Sequence, residues 1–270
     1  RLANPLSNDL NVMRLSLLPG ILNTIAWNIN RQNSDLRLFE LGYVYRKTPG
    51  KGTLEITDNY NERQVLALAV TGNMDRQRWN KTETAAKFFH IKGYVELLLS
   101  RFGITEREIT VTGAGDGWLS DAMKYTAGSL DIASFGQVSK KYLSMFDIKQ
   151  DVFYAEINWE NIIRTIKSKT IRFSELPKYP WLRRDLALLV NKTVRFSDIK
   201  ELAFKTERNI LQEVDLFDVY ESDTLGKDKK SYAVSFILRD DRQTLTEKSI
   251  EKVMSALAKA FEREFGATLR

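Results

Sequence analysis

The C-terminal third of the chain alternates between the two hydrophobic periods that distinguish strands from helices. Three runs rich in Val, Leu, Ile, Phe and Tyr predict strands, at 184–190, 214–220 and 232–238. Two segments that repeat apolar residues every three or four positions predict helices, at 197–209 and 244–265. A short last strand is expected at 267–270. The order β-α-β-β-α-β is typical of a ferredoxin-like domain, whose two helices cover one face of an antiparallel sheet.

Polar residues and a glycine mark where these two helices begin and end. Ser197 is placed to cap the first helix. Thr244 and Glu247 have the spacing of a capping box before the second helix. Gly266 predicts the end of that helix, because glycine readily adopts the left-handed conformation at a helix C-terminus.

The preceding residues predict a second unit that also mixes helices and strands. Two helices are expected, at 19–31 and 86–101. Strands are expected at 36–41, 65–71, 109–112 and 153–157. The stretches 47–57 and 158–169 are polar and predict connections. We therefore predict an α+β protein with two domains, at 1–171 and 172–270.

Composition supports packed domains and excludes several kinds of site. The chain of 270 residues is 43% hydrophobic, which is ample for two cores. It has no cysteine, which excludes disulfides and Cys-ligated zinc, and its single histidine, His90, cannot build a histidine-based metal site. The net charge of +6 indicates a mild preference for polyanions rather than a polybasic surface.

The N-terminus and the hydropathy pattern give no sign of secretion or of a membrane-spanning helix. The chain begins Arg1-Leu2-Ala3, without an initiator Met or the apolar core of a signal peptide. No run approaches the roughly eighteen apolar residues of a membrane-spanning helix. We expect a cytoplasmic fragment of a longer protein that does not bind a membrane.

The helix-free face of the C-terminal sheet is where RNA-recognition domains of this architecture stack bases on aromatic side chains. Basic side chains around its first strand would contact phosphates. Alternation turns Tyr232 and Phe236 toward the core, and Asp185 is expected to orient a neighbouring arginine. The RNA-binding candidates are Lys178, Arg183, Arg184, Phe217, Tyr220, Ser231, Ser235 and Arg239. The alternative is solvated charge around a packed core.

Short motifs occur in a characteristic order along nearly the whole chain. They are Asn4-Pro5-Leu6-Ser7, Met13-Arg14, Leu17-Leu18-Pro19-Gly20, Phe39-Glu40-Leu41-Gly42, Lys92-Gly93, Val95-Glu96, Leu176-Pro177-Lys178-Tyr179-Pro180, Arg183-Arg184-Asp185, Leu216-Phe217-Asp218-Val219-Tyr220 and Leu269-Arg270. In this combination the chain resembles the C-terminal part of bacterial phenylalanyl-tRNA synthetase beta subunits.

The resemblance implies a fold and a function for each domain. The first would be a class II synthetase-like antiparallel-sheet domain that has lost catalysis and docks the alpha subunit. The second would be a ferredoxin-fold anticodon-binding domain that binds the tRNA for phenylalanine. The whole enzyme would be an α2β2 heterotetramer that charges tRNA with phenylalanine using ATP and Mg²⁺. This fragment alone would be inactive and bind no cofactor.

Three features of the first domain invite a catalytic interpretation. Arg37 and Glu40 have the look of a class II phosphate-and-amine pair, but no second arginine signature follows, which favours an ordinary strand. The run Gly113–Gly117 lacks the Lys-Ser/Thr ending of a phosphate loop and predicts a loop. His90 has no visible nucleophile or orienting partner, which favours a structural role. No catalytic or metal-binding residue is predicted.

The chain also departs from the family pattern, and other functions stay open. His-Pro elements expected near Ala122 and after Gly136 are absent. One alternative is a ferredoxin-like regulatory or protein-interaction module on a degenerate enzyme fold, which predicts little affinity for tRNA. Another is a ligase acting through Arg37 and Glu40, which predicts ATP–pyrophosphate exchange by this chain alone.

Overall fold

The computed structural model describes residues 4–5, 7, 11–47, 59–75, 78–114, 117–167, 169–170, 173, 175–222, 225–226 and 228–269. The chain divides into two compact units, Arg1–Ile171 and Arg172–Arg270. In these described ranges, no helix is long and apolar enough to cross a membrane. The connection predicted at 47–57 lies, apart from residue 47, outside the described residues.

A six-stranded antiparallel sheet forms the centre of the first unit. Its strands are β1 (Leu36–Lys47), β2 (Tyr60–Thr71), β5 (Thr110–Ala114), β6 (Leu119–Ala127), β7 (Leu130–Val138) and β8 (Val152–Asn158). They lie in the order β1-β2-β8-β7-β6-β5, and every neighbouring pair is antiparallel. A small hairpin, β3 (Asn73–Asp75) and β4 (Thr84–Ala85), follows β2.

Helices cover both faces of this sheet. They are α1 (Leu18–Ile29), α2 (Phe88–Arg101), α3 (Lys140–Met145) and α4 (Trp159–Ile166). Alternate residues of β2 enter different cores, since Val65, Ala67 and Ala69 pack with α1 and α3 whereas Leu66 and Val70 pack with α2 and α4. Burial on both faces explains why β2 is hydrophobic without interruption from Val65 to Val70.

The first unit contains elements that the sequence pattern did not predict. The polar stretch 158–169 forms α4 rather than a connection, because the Asn158 side chain caps the helix and Ile162 is fully buried under it. Strands β6 and β7 were also missed. Their pairing shifts register between Ser120 and Met123, and bulges break the alternation on which strand prediction depends.

The second unit has the predicted β-α-β-β-α-β order. Its elements are β9 (Leu182–Asn191), α5 (Phe196–Thr206), β10 (Leu211–Tyr220), β11 (Lys229–Leu238), α6 (Glu247–Phe265) and β12 (Thr268–Leu269). The antiparallel sheet has the order β10-β11-β9-β12. Val234 and Phe236 of β11 are fully buried against Ile199 of α5 and Leu257 of α6. The α+β class and the ferredoxin-like order are thus confirmed.

The starts of α5 and α6 differ from the prediction, whereas the end of α6 agrees with it. Arg195, rather than Ser197, is the residue before α5. Thr246, rather than Thr244, caps α6 through its hydroxyl oxygen. Neighbouring polar residues compete for a cap, and only the backbone path selects one of them. Gly266 ends α6 with φ at 59°, as predicted.

An ion pair between Glu108 and Lys169 fastens the segment after α4 to the turn after α2, with 2.6 Å between Oε1 and Nζ. Hydrogen bonds from Lys169 and Thr105 lower the pKa of Glu108 from 4.5 to about 2. Because the folded pKa lies below the unfolded one, the carboxylate stabilises the fold fully above about pH 4.5, and this stabilisation is lost as the pH falls toward 2.

We expect Glu108→Gln to lower the free energy of unfolding by about 1 kcal/mol at pH 7, since both side chains of the pair are partly exposed and screened. The difference from the wild type should shrink as the pH falls from about 4.5 toward 2. Urea unfolding of both proteins across this range measures it. A difference independent of pH would contradict the role of the ionised carboxylate.

Candidate nucleic-acid interface

The strand register defines the helix-free face of the C-terminal sheet. The even-numbered residues Tyr232 to Leu238 of β11 pack toward α5 and α6, so the odd-numbered residues point the other way. Each of these lies between one residue of β9 and one of β10. The resulting rows, called the free face below, are Arg183-Ile237-Glu213, Asp185-Ser235-Asp215, Ala187-Ala233-Asp218 and Leu189-Ser231-Tyr220.

Arg183 lies at one end of the free face in a cluster of charged and aromatic side chains. Its Nε donates to Oδ1 of Asp185 at 2.8 Å, and its guanidinium carbon lies 5.0 Å from the ring centre of Phe217. The hydrogen bond to Asp185 raises the pKa of Arg183, and the charge of Asp215 adds to the effect. Asp185 therefore orients an arginine, as predicted. The cluster offers a cation and a ring together, which suits a nucleobase.

Phe217 and Tyr220 are exposed aromatic side chains of the edge strand β10. Their relative exposures are 51% and 48%. The pairing of β10 with β11 shifts register between Leu216 and Asp218, and Phe217 lies at this irregularity. Both residues offer aromatic surface to a ligand.

Ser231 and Ser235 lie on the free face but are buried. Their exposures are 7% and 5%. Both belong to the central strand β11, where larger neighbours such as Tyr220 and Leu189 flank Ser231 in its row. Their small side chains therefore offer little surface to a ligand. Alternation assigned the face correctly, but it does not give the size of the neighbours on adjacent strands.

Acidic side chains crowd the free face, which the sequence analysis did not anticipate. Asp185, Glu213, Asp215 and Asp218 all belong to its rows and are exposed. Carboxylates repel phosphates but accept hydrogen bonds from base amino and imino groups. The face is therefore suited to bases rather than to a phosphate backbone. The alternating acids of β10 were the signal that could have revealed it.

Arg184 points to the opposite side of the sheet from Arg183, and its contact with RNA stays a prediction. Its partner in register is the core residue Phe236. Its guanidinium reaches Glu247, the first residue of α6, with 2.9 and 3.1 Å to the two carboxylate oxygens. Arg184 thus fastens β9 to the start of α6. Consecutive strand residues face opposite ways, so one RNA-binding surface cannot use both arginines.

Lys178 and Arg239 lie outside the rows of the free face. Arg239 follows β11 and donates from Nε to Asp241 at 2.8 Å, with a quarter of its side chain exposed. Lys178 lies in the segment before β9, 3.3 Å from Glu175, and its side chain is largely exposed. Their contact with RNA stays a prediction.

The first unit does not bring together the catalytic features considered from the sequence. Arg37 donates to a backbone carbonyl of the β3–β4 hairpin, whereas Glu40 pairs with Arg14 at 2.7 Å. His90 accepts the backbone N–H of Lys87 through Nδ1 at 2.8 Å and so caps α2. Among the residues that the structure describes, no three His, Cys, Asp or Glu side chains form a group suited to a metal ion.

A polar network that the sequence did not reveal lies beside α1. The hydroxyl groups of Ser16 and Tyr154 both donate to Oε2 of Glu156, at 2.7 and 2.9 Å. Burial raises the pKa of Tyr154, and the charge of Glu156 raises it further. The network ties the segment before α1 to β8, so its polar groups satisfy one another within the fold.

Two family models match the chain. The model described as the phenylalanyl tRNA synthetase beta chain CLM domain matches residues 1–159, and the ferredoxin-fold anticodon binding domain matches residues 177–270. A distant likeness to the crystal structure of pyrrolysyl-tRNA synthetase from Desulfitobacterium hafniense has a TM-score of 0.41 at 18% identity and covers 57% of this chain and 50% of that one.

Similar curated proteins carry the name phenylalanine–tRNA ligase beta subunit. The protein of Bacteroides fragilis is 42% identical over 275 residues, and that of Porphyromonas gingivalis is 39% identical over 272 residues. Each match covers 100% of this chain and 33% of the relative. The protein of Fusobacterium nucleatum is 32% identical, with 99% and 33% covered. The chain therefore spans about a third of the length of these relatives.

Proposed function

Because this chain belongs to the phenylalanyl-tRNA synthetase beta-chain family, we propose that it acts as part of the beta subunit of that enzyme. The whole enzyme would be a cytoplasmic α2β2 heterotetramer that attaches phenylalanine to its tRNA with ATP. The active site, with ATP and Mg²⁺, would lie in the alpha subunit. Residues 172–270 would bind the tRNA anticodon region, and residues 1–171 would dock a partner subunit.

The Arg183-Asp185-Phe217 cluster is the observation that carries the tRNA-binding proposal. It combines a ring, a fixed cation and carboxylates on the sheet face opposite α5 and α6, which no helix covers in the described part of this unit. Rings such as Phe217 and Tyr220 would stack on anticodon bases, and the carboxylates would accept base N–H groups. Basic groups outside the rows, such as Lys178, would contact phosphates and set the register.

We expect Tyr220→Ala to weaken binding of tRNA that carries the phenylalanine anticodon by about 5- to 150-fold, because base stacking on an aromatic ring contributes roughly 1–3 kcal/mol. Binding of the same tRNA with the anticodon replaced should change little. Lys259→Ala, at an exposed position of α6 on the helix side of the sheet, is the control and should affect both tRNAs equally. Fluorescence anisotropy across a salt titration measures these affinities.

Equal, weak binding of both tRNAs by the wild-type chain would contradict anticodon reading. It would favour the regulatory or protein-interaction module instead. If Tyr220→Ala keeps the preference for the phenylalanine anticodon, tRNA binding stands, but residues other than Tyr220 read the anticodon.

An exposed apolar strand face supports docking of the alpha subunit on the first unit. Phe39, Leu41 and Tyr43 share one face of the edge strand β1 and are 78%, 49% and 45% exposed. On that side of the sheet, α2 and α4 pack against β2 and the strands beyond it. An edge strand with uncovered apolar side chains is a common docking surface for another chain.

We expect Phe39→Asp to reduce co-purification of this chain with the alpha subunit at least tenfold, because a charge would replace the most exposed of the three apolar side chains in the proposed docking patch. Val111→Asp is the control, since Val111 is an exposed residue of β5 at the opposite edge of the sheet. Equal recovery of the alpha subunit with both variants would exclude this face of β1.

A further inference from the structure

A tight turn in the β3–β4 hairpin holds Trp79 almost entirely in solvent. The N–H of Arg78 donates to the carbonyl of Lys81 at 3.0 Å, and the N–H of Lys81 donates to the carbonyl of Arg78 at 3.2 Å. Between them Trp79 is 98% exposed, the highest value among the large hydrophobic side chains that the structure describes. The chain thus places an indole ring between two basic residues at the tip of a hairpin.

Contacts at the base hold this hairpin on the sheet. Arg37 of β1 donates to the carbonyl of Met74. The N–H of Asn73 donates to the carboxylate of Asp35 at 2.8 Å. These bonds join the hairpin to residues about forty positions earlier in the chain. The base of the hairpin that carries Trp79 is therefore anchored to the sheet.

The charges around Trp79 favour an anionic ligand. Residues 73–87 contain four basic and two acidic side chains. The acids are engaged within the hairpin, since Asp75 pairs with Lys81 at 2.7 Å and Glu83 accepts from the Asn73 side chain at 2.5 Å. Arg78 is exposed beside the indole. An aromatic residue that dominates a protein–protein interface lies in apolar surroundings that exclude water, unlike Trp79 with its charged neighbours.

We propose that the Arg78–Lys81 turn is a second RNA contact, separate from the anticodon-binding face, in which Trp79 stacks on a base. Arg78 contacts a flanking phosphate, while Lys81 holds the carboxylate of Asp75. An exposed indole offers a stacking surface to any base, and the adjacent Arg78 supplies a phosphate contact, so the turn binds RNA without reading sequence. That the RNA is tRNA rests on the proposed function.

The first test compares Trp79→Ala with the wild type on tRNA that carries the phenylalanine anticodon and on the same tRNA with the anticodon replaced. We expect Trp79→Ala to weaken binding of both about tenfold, because the contact is independent of the anticodon. Trp79→Phe should retain most of the affinity, since a ring still stacks. Trp27→Ala is the matched control and should leave binding unchanged, because the guanidinium of Arg31 already stacks on that indole, 3.6 Å from its ring centre, and only 56% of Trp27 is exposed.

Salt dependence and fluorescence provide independent readouts. Arg78→Ala should reduce the slope of log affinity against log salt by about 1, as expected for the loss of one phosphate contact. Stacking on a base should quench the indole, so added tRNA should quench the wild type more than Trp79→Phe. Because Trp79 is exposed, circular dichroism should show that Trp79→Ala and Trp79→Phe are both folded.

The outcomes separate this proposal from the anticodon proposal. Anticodon preference in the wild type together with unchanged affinity in Trp79→Ala would overturn the RNA contact and leave the anticodon proposal standing. If Trp79→Ala loses binding of the alpha subunit but keeps its affinity for tRNA, the proposed RNA contact is also overturned and the turn is assigned to a protein interface. If the wild type binds both tRNAs equally and Trp79→Ala weakens both, the RNA contact is supported and the anticodon proposal fails. Absence of any tRNA binding would refute both.

Discussion

Replacing Phe236 by alanine is expected to lower the free energy of unfolding of the C-terminal unit by about 3–5 kcal/mol. Phe236 is fully buried in the central strand β11, with its ring centre 6.1 Å from that of Phe261 in α6. Truncation removes apolar area from the core and leaves a cavity between sheet and helix that the packed neighbours fill only in part.

Hydrogen exchange on the full chain measures this effect by region. Amide protection should fall in β9, β10 and β11, while β2 and β8 of the first unit keep theirs, because the two units have separate cores. Phe217→Ala is the matched control, since that ring is half exposed, and should cost about 1 kcal/mol or less. Equal losses for the two variants would show that Phe236 is not a core residue.

Replacing Gly72 by alanine is expected to cost the first unit about 3 kcal/mol or more, because two penalties combine. Its φ of 75° lies in the left-handed region that side chains disfavour. An added Cβ would also collide with the carbonyl oxygen of Ser34 and lie 2.8 Å from Cα of Asp35. Only glycine lets the chain turn from β2 into the hairpin that carries Trp79.

Gly128→Ala separates the two penalties. Gly128 also has a positive φ, 58°, but a Cβ there meets no atom within 4 Å. It should therefore cost only the conformational term of about 1–2 kcal/mol. Thermal or urea unfolding of both variants gives the comparison. Equal destabilisation of the two variants would mean that the backbone near Ser34 shifts to make room for the added methyl group. The close contact at Gly72 would then add nothing to the conformational penalty.

The distribution of charge on the C-terminal sheet bears on how tRNA would be bound. The free face carries Asp185, Glu213, Asp215 and Asp218 beside Arg183, so general attraction for phosphates is weak there. Base contacts on such a face would contribute selectivity, whereas affinity would come from basic groups elsewhere. The Trp79 turn of the first unit is one place where that affinity would arise.

Much of the fold follows from local periodicity, because the period of buried residues determines which kind of element can cover a core. The strand of 232–238 and the stripe that became α6 were predicted because each buries one continuous face. Gly266 likewise ended its helix for a local reason, its left-handed backbone. The family motifs and the ferredoxin-like order of elements were also legible in the sequence.

The tertiary structure alone decided which side chains meet. Partners such as Arg184 and Glu247, or Arg183 and Phe217, come from different elements, and the sequence does not specify the register that joins them. The burial of Ser231 depends on larger side chains from two neighbouring strands. Local propensity acts over a few residues, whereas a site is assembled across strands. The sequence pattern therefore determined most of the elements, and packing determined the surface they present.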